Sequence, residues 1–156
     1  YQIGGLYRPM SNPYFNDHYA KNMHRLSGPV FEQGRRGTMG LLRHLKTGGM
    51  GVLLFDIYDS RGTQIPFLGK PAPTVTSAAE IALKTGAVLI PMFGLRREDS
   101  RLFDIILKAP ITHSTALEMT VDMTKQLEEM VHDYPEQWFW IHRRWKPERH
   151  RSRTEP

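Results

Sequence analysis

The chain contains no cysteine, so it can form neither a disulfide nor a thiolate nucleophile. That fits a reducing compartment without demanding one. No apolar run approaches the ~18 residues that a membrane-crossing helix requires. The opening residues do not read as a signal peptide, and the chain begins on Tyr1, already in strand-like sequence, which suggests a piece of a longer protein. The 13 glycines are scattered, without the spacing of a phosphate loop or a dinucleotide fingerprint. No serine sits in a nucleophile elbow. His18 and His24 are six residues apart and lack a third ligand at a useful spacing, so neither a metal nor any other cofactor is expected.

What is present fits one folded domain. A chain of 156 residues with 40% hydrophobic and 24% charged side chains can bury a sizeable core and is not disordered. The formal charge is +5, and it is unevenly placed. Six of the 21 basic residues fall between Arg143 and Arg153, against the single acid Glu148. All three tryptophans lie just before or within this region, in Pro135-Glu136-Gln137-Trp138-Phe139-Trp140-Ile141-His142-Arg143-Arg144-Trp145-Lys146. Large aromatics beside dense cations describe a surface that packs on one side and seeks anions on the other. Nucleic acid, anionic lipid and a phosphorylated substrate all satisfy that description.

Strand-like and helical patterns alternate. The sequence predicts a strand over 3–8, broken by Pro9-Met10-Ser11-Asn12-Pro13, then a helix over 13–26 capped by Asn12 with Pro13 at its first position. A brief extended piece at Val30-Phe31 leads to a helix over 37–46, with Met39, Leu42 and Leu45 on one face. The apolar runs 51–56 and 87–93 predict buried parallel strands, and 102–107 another strand. Ile65-Pro66-Phe67-Leu68-Gly69 is too proline-broken for a central strand. Ser77-Ala78-Ala79-Glu80 matches a capping box opening a helix to Gly86. A last helix over 116–134 places Leu117, Val121, Leu127 and Val131 on one face. This alternation predicts an α/β fold with a mainly parallel sheet flanked by helices, over residues 1–147, and a frayed basic tail over 148–156.

Candidate chemistry follows from these placements. Asp56 ends a predicted strand, at the carboxyl edge where open α/β sheets hold ligands; alternatively it caps backbone amides while Asp59 and Ser60 make a turn. Arg8 follows the first strand and can grip a phosphate or carboxylate with two donors, or simply be a surface arginine. Arg35-Arg36 stand where a helix start could hold phosphate, unless solvent or Glu32 neutralises them. His113 and Glu118 have the His-x4-Glu spacing of a base and its orienting carboxylate, but Thr115-x-x-Glu118 is also a capping box, which explains the glutamate without chemistry. At least two of Trp138, Phe139 and Trp140 are expected to pack into the core, Trp138 and Trp140 first among them, with Arg143, Arg144 and Lys146 at its rim.

Taken in order, several blocks resemble the carboxyl-terminal half of the bacterial lipid A biosynthesis acyltransferases of the lauroyl/myristoyl type. They are Tyr7-Arg8-Pro9, Leu41-Leu42-Arg43-His44-Leu45-Lys46, the run ending in Asp56, 66–74, 84–91 and, most specifically, 135–146. The resemblance implies a three-layer glycerolipid-acyltransferase-like fold whose amino-terminal part is missing here, working at the cytoplasmic face of the inner membrane. It implies transfer of an acyl chain from acyl carrier protein, or acyl-CoA, to a hydroxyl of a lipid A precursor. Arg8 and Asp56 then become active-site candidates, and Arg35, Arg61, Arg143, Arg144 and Lys146 candidates for binding substrate or an anionic membrane surface. The family's His-x4-Asp/Glu base pair and its membrane anchor precede the Tyr-Arg-Pro block, which here means before Tyr1. The chain alone is therefore expected to be inactive. Another glycolipid, such as a mannosylated phosphoinositide, is the near alternative, and a basic nucleic-acid-binding module the distant one; no nucleic acid is expected as partner.

Overall fold

A computed structural model describes residues 2–98 and 101–146. The basic tail expected from residue 148 lies outside them. The fold is α/β. Its parallel part is a three-stranded sheet of β1 (Ile3–Tyr7), β2 (Val30–Glu32) and β3 (Met50–Val52), in the order β2-β1-β3. Both neighbours run parallel to β1, because helical crossovers return the chain each time: α1 (Pro13–Ser27) and α2 (Arg35–Lys46). The predicted cap of α1 is present, with Asn12 accepting from the backbone N–H groups of Tyr14 and Phe15 at 3.0 and 3.4 Å. The second helix starts two residues earlier than its apolar pattern indicated, on Gly34.

α2 lies close against the sheet. A Cβ on buried Gly4 would come within 2.9 Å of the His44 ring, so only glycine lets the helix approach there. His44 uses that proximity. Its Nε2 donates toward Gln2 O at 3.2 Å and Met50 O at 3.1 Å, tying the starts of β1 and β3 together.

The sheet departs from the sequence expectation beyond β3. Only Met50–Val52 pairs, and all three residues are exposed. Leu53 and Phe55 turn inward to pack on the core while Leu54 faces outward, so the run 51–56 has one buried face, not two. Asp56 therefore does not end a strand. The remaining strands form antiparallel pairs, β4 (Thr63–Phe67) with β5 (Lys70–Thr74) and β6 (Met92–Arg96) with β7 (Phe103–Leu107). These connections are too short for a parallel crossover, which needs a dozen residues or more. The mainly parallel sheet is thus confined to three short strands.

The prolines that argued against a central strand are accommodated by register. The turn Leu68-Gly69 joins β4 to β5 with both residues at positive φ, 50° and 73°. Phe67 and Lys70 flank this two-residue turn as a hydrogen-bonded pair, so Pro66 opposite Pro71 and Gln64 opposite Pro73 fall at the alternate, non-bonded positions. No ladder bond is lost to the missing N–H groups. The carbonyl of Pro73 is left pointing away from its partner strand.

Two apolar clusters support these elements. In one, Ala78, Ala79 and Ala82 of α3 (Ser77–Thr85) meet Met119 and Met123 of α4 (Ala116–Asp133), small residues facing long flexible ones. In the other, Phe67 and Ala72 of the hairpin meet Leu127 and Val131 of α4, with Trp138 and Trp145 against them. Phe55 touches both.

The buried face of α4 is rotated from the predicted one. Leu127 and Val131 are buried as expected, but Leu117 is exposed, and Met119, Thr120, Met123, Thr124 and Met130 are buried. The two threonines escape a desolvation penalty because their hydroxyls donate to the carbonyls four residues back, at 2.6 and 2.8 Å. The start of α3 also differs. Its N-cap is Thr76, whose hydroxyl donates to Glu80 Oε1 at 2.7 Å, so Ser77 makes no capping box.

At α4 the capping box is present in full: Thr115 Oγ1 accepts from Glu118 N at 3.2 Å, and Glu118 Oε2 accepts from Thr115 N at 3.2 Å. The Thr115 backbone and side-chain donors, with Ser114, hold the Glu118 carboxyl below its ordinary range. Thr115→Ala is expected to destabilise the protein by about 1 kcal/mol at neutral pH in urea titrations. A depressed folded-state carboxyl stabilises above its unfolded value, and that contribution disappears as pH falls through its folded value. The Thr115→Ala penalty should therefore shrink in strongly acidic solution.

Candidate functional site

The first site group lies along the carboxyl edge of the parallel sheet. Arg8 directly follows β1, the central strand, and is exposed. Tyr7 stands opposite Glu32, so the turn after β2 brings Arg35 and Arg36, at the first turn of α2, to the same edge. The path between Arg8 and α1 is fixed by Asn16 Oδ1, which accepts from Met10 N at 3.0 Å, and by the Tyr7 and Tyr19 rings, 6.1 Å apart. The first turn of α2 holds no acid, and its Gly34 cap provides no side-chain acceptor. Free helix N–H groups beside exposed guanidiniums favour an anion. Arg8, Arg35 and Arg36 have no ion-pair partner among the described residues. Glu32 does not pair with the arginines after it.

The second group is the loop 56–61, which the aromatic-basic segment holds from outside. Tyr58 N donates to His142 Nε2 at 3.0 Å, which fixes the ring proton on Nδ1. Lys146 Nζ lies 4.8 Å from the centre of the Tyr58 ring. Arg61 is exposed, but its guanidinium is engaged: Nε and Nη2 donate to Asp59 at 3.2 and 3.0 Å. That chelation pulls the Asp59 carboxyl down and the Arg61 guanidinium up. Asp56 is half-buried and acts electrostatically on Arg144.

Arg144 corrects the expectation of a basic rim. It is 1% exposed, while Arg143 beside it is open to solvent. Its Nη1 donates to the outward carbonyl of Pro73 and its Nη2 to Thr74 Oγ1, and the guanidinium sits 5.7 Å from the Phe67 ring centre. Burial pushes this guanidinium down, and the charge of Asp56 opposes that shift. The Nε has no hydrogen-bond partner among the described residues. A side chain so enclosed holds the carboxyl-terminal segment onto the hairpin and cannot reach a ligand at the surface as Arg143 can.

Phe67 is the centre of this joint. Trp145 stacks on it at 5.4 Å and 17°, Trp138 meets it at 5.6 Å and 56°, and Trp145 Nε1 donates to its carbonyl at 3.2 Å. Sequence reading missed the roles of Phe67 and Thr74, and it expected Trp140 to pack beside Trp138, whereas of these two only Trp138 reaches Phe67 and Trp140 is 55% exposed. The local hint was Pro71-Ala72-Pro73: prolines fit the non-bonded positions of a ladder, where carbonyls also face away from the partner strand.

His113 does not make a dyad with Glu118. Its Nε2 donates to Ala87 O at 3.0 Å, and the glutamate is engaged by Thr115. No cluster of three metal-ligating side chains occurs among the described residues, nor any helix long and apolar enough to cross a membrane.

A small parallel sheet with cations along its carboxyl edge, and an aromatic-basic segment locked on a proline hairpin, define an α/β domain suited to anionic ligands. The chain belongs to the bacterial lipid A biosynthesis acyltransferases, whose family model matches residues 1–147. It is similar to the lipid A biosynthesis lauroyltransferase of Escherichia coli (strain K12), with 29% identity over 148 residues. That alignment covers 91% of this chain and 48% of the relative, so the chain spans about half the length of the curated relative it matches.

Proposed function

We propose that this chain is the carboxyl-terminal part of an acyltransferase of lipid A synthesis, built on the three-layer glycerolipid-acyltransferase plan. The enzyme moves a fatty acyl chain from the thioester of acyl carrier protein, or of coenzyme A, to a hydroxyl of a lipid A precursor at the cytoplasmic face of the inner membrane. The family match across residues 1–147 carries this reading. The exposed arginines at one sheet edge support it, since the acceptor is a phosphorylated amphiphile.

The step is acyl transfer through a base. A His-x4-Asp/Glu pair ahead of Tyr1 takes the proton of the acceptor hydroxyl, and the oxygen attacks the thioester carbonyl. The tetrahedral adduct collapses, the thiolate leaves, and the imidazolium returns the proton to it. In this chain Arg8 directs N–H donors at the developing oxyanion or a neighbouring phosphate. Asp56 keeps the half-buried loop beside it in place through its charge on Arg144. Arg35, Arg143 and Lys146 bind phosphate oxygens, and Arg61 does so only by giving up Asp59.

The test is acyl transfer to a Kdo-bearing lipid A precursor from acyl carrier protein and coenzyme A thioesters. Joined behind the amino-terminal half of the lauroyltransferase relative, the chain should transfer; alone, it should not. Arg8→Ala in the joined enzyme should lower kcat/KM by roughly 100-fold, the scale of losing one oxyanion donor. Robust transfer by the 156-residue chain alone would sink the placement of the base. Acylation only of a mannosylated phosphoinositide would move the substrate to another glycolipid.

A further inference from the structure

Phe139, Trp140 and Ile141 put three successive large apolar side chains into solvent, with 67%, 55% and 82% of their surface exposed. They sit at the turn that follows the short 3-10 helix Pro135–Gln137. The turn is not loose. Trp140 Nε1 donates to Pro135 O at 2.7 Å, and His142 N donates to Phe139 O at 3.0 Å. Gln137 fastens it to the end of β6, accepting from Arg96 N at 2.8 Å and donating to Arg96 O at 3.1 Å. That joint adds Phe103, exposed and lying under the Arg96 guanidinium at 5.2 Å.

We propose that this turn is an interfacial wedge, and that its partner is an anionic phospholipid bilayer. Aromatic and aliphatic side chains at a fixed turn suit the boundary between headgroups and acyl chains, where amphipathic rings settle. Arg96, Arg143 and Lys146 are exposed around it and meet lipid phosphates. Of the acids on these two segments among the described residues, Asp104 is engaged by Arg97, while Glu98 and Glu136 remain exposed. Cations flanking apolar side chains match an anionic headgroup layer lying over acyl chains. The outer face of the β6–β7 hairpin continues this apolar surface from Phe103 and Arg96 through Ile105, Met92 and Leu107. The wedge deepens the acyltransferase reading, and rests on it, by naming the surface through which the enzyme reaches its lipids.

Vesicle binding of the 156-residue chain tests the wedge without any acyl transfer. Phosphatidylcholine vesicles containing phosphatidylglycerol should retain the protein, pure phosphatidylcholine should not, and brominated acyl chains should quench its tryptophan emission. Trp140→Phe should remove most of that quenching, since Trp138 and Trp145 pack on Phe67. Phe139→Ser with Ile141→Ser should weaken vesicle binding by about tenfold or more, as lost apolar insertion predicts, with an unchanged urea midpoint. Unquenched wild-type emission, or quenching that survives Trp140→Phe, overturns the proposal. So does a blue-shifted, lipid-insensitive Trp140 in the chain joined to the amino-terminal half of the relative, because the turn is then covered by protein. Quenching with no transfer by the joined enzyme faults the enzymatic reading alone; transfer without quenching faults the wedge alone.

Discussion

Arg144→Ala is expected to destabilise the protein by about 2–5 kcal/mol, chiefly by stripping two buried acceptors of their donors. In a domain of this size each kcal/mol corresponds to a melting shift of about 2–4 °C, so the loss is readable by thermal or urea unfolding. Three effects combine. Pro73 O and Thr74 Oγ1 lose the donors that satisfy them, at roughly 1–3 kcal/mol for a group left buried and unpaired. Phe67 loses the guanidinium near its ring. The half-buried carboxylate of Asp56 loses the opposing charge. Arg144→Lys should recover less than half of the stability, because one ammonium cannot span two acceptors as a planar fork does. Arg143→Ala, one residue away and exposed, should change stability by no more than about 0.5 kcal/mol. Equal effects at the two positions would contradict the burial of Arg144.

Phe67→Ala should cost a further large amount, about 3–5 kcal/mol, because the fully buried ring cannot be replaced by collapse of its rigid neighbours. Trp138 and Trp145 both lose their aromatic contact, so the near-ultraviolet circular dichroism of the tryptophans should weaken before global unfolding. Phe67 and Arg144 touch, and their substitutions should not add. A double-variant cycle is expected to give a coupling of about 0.5–3 kcal/mol. Strict additivity would mean that the hairpin and the carboxyl-terminal segment stand independently.

These two residues also show where sequence reasoning reached its limit. Signals closed within a few residues were legible: Asn12 before Pro13, and the Thr115 and Glu118 capping box. Where two local readings competed, the neighbours decided. At α3 the hydroxyl that meets Glu80 belongs to Thr76, not Ser77. On α4, Leu117 and Val121 matched a helical stripe as well as Met119 and Met123 did. The alanine-rich face of α3 selected the methionines, which fit against small residues. The run 51–56 looked buried on both faces because periodicity cannot tell whether a neighbouring strand will cover the second one. Asp56 consequently stands in a loop against Arg144, whereas Arg8 kept its predicted place at the strand end.

The residues alone determined the family, the α/β alternation and the helix starts at Asn12 and Thr115, since each depends on groups close together in the chain. Which cation is buried and which is free was decided by the tertiary structure. Arg143 and Arg144 are adjacent and chemically identical. They differ because the acceptors for Arg144 lie 71 and 70 residues away, on a hairpin whose proline register leaves a carbonyl unpaired. A guanidinium can leave water only where such acceptors are already in place, and no local pattern encodes that meeting.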